Sequence, residues 1–190
     1  QRHMSIRDWE YAGTVYYTRF ILGQWAAAEG IIYRPFADSI ASNDNRFLWP
    51  AEHELRPFRV YIGVDFGGNG SQHAFVATGV LPGYRGVVAL CSERIAAKGT
   101  DVVFLQKRFV QFVEAVFIRW GEIHAVFCDS AEQVLKNSLR AALLPTRFRW
   151  LAERVYNAKK IEINDRIRTT AALMGGGRFW YMPEAGSVRD

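Results

Sequence analysis

The chain has 190 residues, 49% of them hydrophobic and 23% charged, which suits one soluble globular domain with a real core and excludes a disordered or collagen-like chain. No apolar run reaches the length of a membrane span and no secretory signal is visible, so neither a membrane protein nor a secreted one is expected. The net charge of +5 comes from 19 Arg and 5 Lys against 19 acids; the arginine fork suits phosphate oxygens, so nucleic acid is a candidate partner.

Gln1–His3, ahead of Met4, read as a tag remnant and are set aside. Residues 4–57 differ from the rest of the chain. "DWEYAGTVYYTRFILGQWAAAEGIIYRPF" is rich in aromatics, and "ADSIASNDNRFLWPAEHELRP" is polar and turn-like. A linker or flap is expected there, with a helix from Ala12 to Ala28 that Gly13 and Gly23 weaken. The core is expected over 58–190. "FRVYIGVDF" is a short apolar run with β-branched residues, the pattern of a buried strand. "HAFVATGVL" and "RGVVALCSERIA" flank the turn signal "PGY" and predict an antiparallel hairpin.

The spacing of Val102, Leu105, Phe109, Phe112, Val113 and Val116 predicts a helix, with Thr100 or Asp101 as its cap. "EIHAVFCDS" is another strand, ending at Asp129. "SAEQVLKNSLRAALL" comes next as a helix capped by Ser130 and closed before Pro145. "RFRWLAERVY" reads as a fifth strand. "KKIEINDRIRTTAALM" reads as a helix stopped by the glycines at 175–177, and "RFWYM" as a last strand. Strand, hairpin, helix, strand, helix, strand, helix predicts an α/β fold: a mixed central sheet with helices on its faces. Cys91 and Cys128 fall inside apolar runs and are expected as buried, reduced thiols.

Asp65 ends the first core strand and Asp129 the strand after the long helix. If these strands are neighbours, both carboxylates emerge at one edge of the sheet, where ligands gather in α/β proteins. Two acids there repel unless a cation lies between them, and Mg²⁺ or Mn²⁺ suits an all-oxygen site. Two such metals activate a water and stabilise the leaving oxygen of a phosphodiester. The bland alternative is that each Asp only forms a turn or caps a helix. Gly67, Gly68 and Gly70 suit a tight turn or a close backbone approach to a phosphate. The Walker pattern GxxxxGK[ST] is absent, so no ATPase of that type is expected.

Four stretches together carry a family resemblance. "GTVYYTRFILGQWAAAEGIIYRPF" resembles the passage from the motor to the nuclease domain of tailed-phage terminase large subunits. "YIGVDFGGNGSQHAFV" and "AVFCDSAEQVLKNSLR" resemble that family's first two nuclease motifs, and "AKKIEINDRI" its lysine-containing segment. The resemblance covers about Tyr11 to Tyr181. It implies an RNase H-like nuclease fold and a divalent-metal-dependent endonuclease that cuts concatemeric double-stranded viral DNA during packaging. By the same resemblance Asp65 and Asp129 are metal-binding catalytic carboxylates of a two-metal Mg²⁺ or Mn²⁺ site, and Lys159 or Lys160 meets a DNA phosphate.

The family's third carboxylate lies near its C-terminus; here Asp190 in "GSVRD" stands in that place, with Glu184 and Asp165 as alternatives. Where the family has an acid-containing stretch after the first Asp, this chain has "GGNGSQHA". His73 within it is expected to be a surface or hairpin residue. The family's motor domain is not in this sequence, so the chain is expected to be one domain of a longer protein or a stand-alone nuclease. Implied partners are double-stranded DNA, portal protein, the small terminase subunit and the terminase ATPase domain. The implied location is the packaging complex at the procapsid portal in the host cytoplasm. The alternatives are another RNase H-like nuclease of resolvase or transposase type, or an inactive module that binds DNA or portal.

Overall fold

A computed structural model describes residues 32–190 except Glu52, Asn69, Ser130 and Asp190. Two compact units divide the chain: Gln1–Leu48 with Ile161–Trp180, and Trp49–Lys160 with Tyr181–Asp190. The helix expected over 12–28 lies outside the described residues, as do Gln1–His3 and Asp190.

The second unit is built on a sheet. Its strands are β1 (Arg59–Asp65), β2 (Gln72–Val80), β3 (Val87–Ala96), β4 (Ile123–Cys128) and β5 (Val155–Asn157), in the order β5-β4-β1-β2-β3, and Tyr181, the last residue of β6 (Phe179–Tyr181), belongs to the same unit. β1 runs parallel to β4, and β4 to β5, whereas β2 is antiparallel to both β1 and β3. A mixed sheet is what the sequence predicts, and it is consistent with the RNase H-like fold that the resemblance implies. The "PGY" turn joins β2 to β3, with Gly83 at φ 67°, a left-handed geometry that glycine takes without strain.

Period-two patterning puts Val60, Ile62 and Val64 of β1 on the face shared with Phe75 and Ala77 of β2. Helix α2 (Val102–Trp120) lies on that face and buries Leu105, Phe109, Phe112, Val113 and Val116. The Phe75 ring meets those of Phe109 and Phe112 at 5.5 and 5.7 Å. Asp101 caps the helix, its Oδ1 accepting the Phe104 N–H at 2.7 Å. Val102, expected in the stripe, is instead exposed at the helix's first turn.

Three local expectations change. Helix α3 (Gln133–Leu143) starts after Glu132, with no side-chain cap; Ser130 lies outside the described residues. The run "RFRWLAERVY" is only partly strand. Phe148, Leu151 and Ala152 are buried at spacing i, i+3, i+4, so its first half winds into the single turn α4 (Arg149–Ala152), and Val155–Asn157 alone pairs as β5. Helix α5 (Ile163–Gly175) begins beyond Lys160, so Asp165 falls in its first turn rather than mid-helix, where it pairs with Arg168 at 3.2 Å.

The described part of the first unit holds α1 (Arg34–Ala41), a 3₁₀ turn at Asn45–Phe47, and α5. Phe36, Phe47 and Phe179 pack there with ring centroids 5.4 to 6.4 Å apart.

Candidate active site at the carboxyl ends of three parallel strands

Because β1, β4 and β5 are parallel, all three finish at the same edge. Val64 is level with Cys128, and Cys128 with Asn157. The ends are stitched past the last residues: Asp129 N–H donates to Val64 O at 3.2 Å, and Ala158 N–H to Cys128 O at 2.7 Å. Asp65 and Asp129 therefore stand side by side, one strand spacing of about 4.8 Å apart along the sheet edge.

Both acids are exposed. Among the described residues no hydrogen bond or ion pair reaches the Asp65 carboxylate; Asp129 gives one oxygen, Oδ1, to the Ala131 N–H at 3.1 Å. Water screens the repulsion between two exposed carboxylates strongly. The fold can thus carry the pair, while its free oxygens suit a hard cation such as Mg²⁺ or Mn²⁺, which binds through one or two carboxylates and keeps several waters. Among the described residues no three His, Cys, Asp or Glu converge on one point.

The loop after Asp65 is tightly held. A Cβ on Gly67 would collide with the Gln72 carbonyl group, so only glycine fits. The Gly67 N–H donates to His73 Nδ1 at 3.2 Å. His73 is buried rather than at the surface, because it shares the inward face of β2 with Phe75 and Ala77. Burial lowers its pKa, against the opposing pull of Asp65. Gly67, Gly68, His73, Thr100 and Leu105 line a cavity of about 210 Å³ beside this loop.

On the other side, Lys136 of α3 is 9% exposed and reaches Asn157 Oδ1 at 2.7 Å. Gln133 Nε2 donates to the same oxygen at 3.2 Å. Burial pushes the Cys128 thiol up to about 12, with the Lys136 charge pulling the other way. Cys91 is only partly buried and its thiol is pushed up to about 11, again by burial.

Of the residues singled out in the sequence, Asp65 and Asp129 come together at this edge. Lys159 and Lys160 are exposed in the two residues after Ala158, just beyond β5. Glu184 is committed elsewhere: its carboxylate pairs with Arg119 in the last turn of α2, and its carbonyl accepts the Ser92 N–H. Asp190 lies outside the described residues. Lys136, Asn157 and Gln133 were not singled out. The available signal was Lys136 standing where the apolar stripe of Leu139 and Leu143 asks for a hydrophobe.

No protein-family model matches the sequence, and no curated protein matches it. Solved structures do. At 21% identity and a TM-score of 0.65, 96% of the chain superposes on 42% of the large terminase from a thermophilic bacteriophage. Weaker likenesses, both with a TM-score of 0.48, are to the SPP1 large terminase nuclease domain with bound Mn (15% identity, 73% of this chain, 71% of that one) and the large terminase nuclease of thermophilic phage G20c with bound magnesium (20%, 76% and 72%). The chain spans less than half the length of the first of these terminases. Its fold is that of the corresponding part of a bacteriophage large terminase.

Proposed function

We propose that this chain is the nuclease part of a phage-type large terminase, a divalent-metal-dependent endonuclease acting on concatemeric double-stranded DNA during packaging. One observation carries the reading: two exposed carboxylates without an ion pair among the described residues, Asp65 and Asp129, at the ends of adjacent parallel strands, with both oxygens of Asp65 and Oδ2 of Asp129 left open. The likeness to the first large terminase, at a TM-score of 0.65, supports the fold on which that pair sits.

Mg²⁺ or Mn²⁺ bound there would neutralise charge on a phosphodiester and activate water for its hydrolysis. The rest falls to the chain. Asp65 and Asp129 hold the cation, and Asp190 is the proposed third carboxylate of a two-metal arrangement. The Gly67–Gly68 turn keeps side chains away from the approaching strand. Lys159 and Lys160 attract its phosphates as point charges. Contacts of this kind give salt-sensitive binding with little sequence preference. Portal protein, the small terminase subunit and the terminase ATPase domain are the proposed protein partners, at the procapsid in the host cytoplasm. Among the described residues no helix is long and apolar enough to cross a membrane.

A second reading, a DNA- or portal-binding module without activity, draws on the same edge: among the described residues no third acid joins the pair. Supercoiled-plasmid digestion with Mg²⁺, Mn²⁺ or EDTA separates the two. The nuclease reading expects metal-dependent nicking that Asp65→Ala and Asp129→Ala abolish. Cutting that survives both substitutions, or no cutting with either metal, would sink it.

A further inference from the structure

Lys136 is a buried cation with little to compensate it. Its ammonium has three donors, and the acceptor it reaches is Asn157 Oδ1. Among the described residues no carboxylate comes within ion-pair distance of it. A well-packed apolar side chain at this position would cost less than a buried ammonium without an ion pair. The arrangement gains something else: it fixes the direction of one amide.

Asn157 Oδ1 accepts from both Lys136 Nζ and Gln133 Nε2. Two donors on one atom identify it as the oxygen and set the flip of the amide. The Asn157 –NH₂ then points away from α3. Asn157 is exposed, and among the described residues its two N–H groups meet no acceptor. The Lys136 charge on the carbonyl end also polarises the amide and makes its –NH₂ a stronger donor.

The position matters as much as the direction. Asn157 closes β5 level with Cys128, one residue short of Asp129 on the neighbouring strand, and Lys159 and Lys160 lie just after it. A polarised donor beside the Lys136 ammonium, on a strand end followed by the exposed Lys159 and Lys160, favours an anionic acceptor. We propose that Asn157 is a substrate-contacting residue of this edge, its –NH₂ donating to a phosphate oxygen of bound DNA, and that Lys136 is the positioning residue that aims it. The inference rests on the DNA-cutting reading for its ligand.

Fluorescence anisotropy of a labelled duplex with the full chain, in EDTA at fixed salt, tests it without requiring activity. Asn157→Ala is expected to weaken binding about tenfold, the worth of a hydrogen bond to a charged group. Asn157→Asp should weaken it at least as much. That variant keeps its acceptors for Lys136 and Gln133, so its melting temperature should not fall, and a folding defect cannot explain the loss. Lys136→Met should weaken binding severalfold, and the double variant Lys136→Met/Asn157→Ala should bind no worse than Asn157→Ala alone.

Binding within twofold of wild type in both Asn157 variants overturns the contact, as does a wild-type chain that does not bind duplex. Losses that multiply in the double variant overturn the positioning role. Plasmid digestion run in parallel keeps the two readings apart. A wild type that never cuts, alongside Asn157 variants that bind weakly, removes the nuclease activity and leaves the contact standing.

Discussion

Acids at the sheet's carboxyl edge and acids around helix α2 are treated in opposite ways. Glu93, Glu114, Glu122 and Glu184 each receive an arginine, from Arg108, Arg147, Arg154 and Arg119, at 2.5 to 3.1 Å. Asp65 and Asp129 receive none among the described residues, although the chain has 19 arginines to offer. Paired acids hold elements together and have little left to give a ligand. Acids without an ion pair at adjacent strand ends, against their mutual repulsion, keep oxygens for a cation: both of Asp65 and Oδ2 of Asp129. Glu132, Glu153 and Glu162 also go without an arginine among the described residues, so it is the adjacency of Asp65 and Asp129 at neighbouring strand ends that marks them as a candidate site.

The hardest blow to that contrast is removal of the free charges. Asp65→Asn and Asp129→Asn should each lower metal-dependent plasmid cleavage on the order of a thousandfold, because several kcal/mol of transition-state stabilisation leave with the metal. In EDTA the same variants should melt at or slightly above the wild-type temperature, since the repulsion is relieved. A melting temperature that drops by many degrees would make the carboxylates structural and end the comparison.

A subtler break gives Asp65 what the glutamates already have. Ala74 is its cross-strand partner on β2, and directly opposed Cβ atoms lie about 5 Å apart. Ala74→Arg should pair with Asp65 and compete with the cation, cutting Mn²⁺ affinity and cleavage by roughly 10- to 100-fold. Stability should change by less than about 1 kcal/mol, as for other partly exposed pairs. Unchanged Mn²⁺ affinity, measured by calorimetry, would mean that Asp65 does not hold the metal.

How much of this edge was legible in the sequence depends on how local each signal is. Asp65 and Asp129 could be found because each closes a short apolar run, and strand, turn and cap patterns are written in consecutive residues. Asp101 as the α2 cap and the "PGY" hairpin were legible for the same reason. "RFRWLAERVY" was not, because a short apolar run fits either period until the packing of Phe148 and Leu151 decides. His73 was expected as a surface or hairpin residue; it lies on the hairpin strand β2, but its burial beside Phe75 on the inward face is set only by the paired sheet. The Lys136–Asn157 contact joins residues 21 apart across two elements, and no local pattern announces it.

Gly67→Ala tests whether the loop after Asp65 is as constrained as the free acid it follows. The added Cβ would press into the Gln72 carbonyl group, so the turn must shift. Overpacking of this kind costs about 1–3 kcal/mol, or roughly 5 °C in melting temperature for a chain of this size. Cleavage should fall with it, because moving the turn also moves Asp65. By contrast Gly68→Ala, where a Cβ meets nothing within 4 Å, should leave melting unchanged. Equal effects at both glycines would show that the turn has room to adjust and does not set the position of Asp65.

The smallest effect is expected on the paired side. Glu122 is 66% exposed beside Arg154 at 2.7 Å. A surface pair of that kind contributes between zero and about 1 kcal/mol, because water and salt screen it and two long side chains lose freedom to form it. Glu122→Gln should therefore lower the melting temperature by no more than about 3 °C, with cleavage and Mn²⁺ affinity at wild-type levels. The size of that loss calibrates the comparison. If it stays small, the glutamate pairs are surface finishing, and carboxylates without such a pair cost the fold almost nothing. Asp65 and Asp129 can then remain free for a ligand. If Glu122→Gln instead costs several kcal/mol, pairing is a structural requirement in this chain, and the unpaired acids at the strand ends carry a penalty that bound metal would have to offset. Melting curves with and without Mn²⁺ would then show the metal raising the wild-type temperature by an amount that both Asp→Asn variants lose.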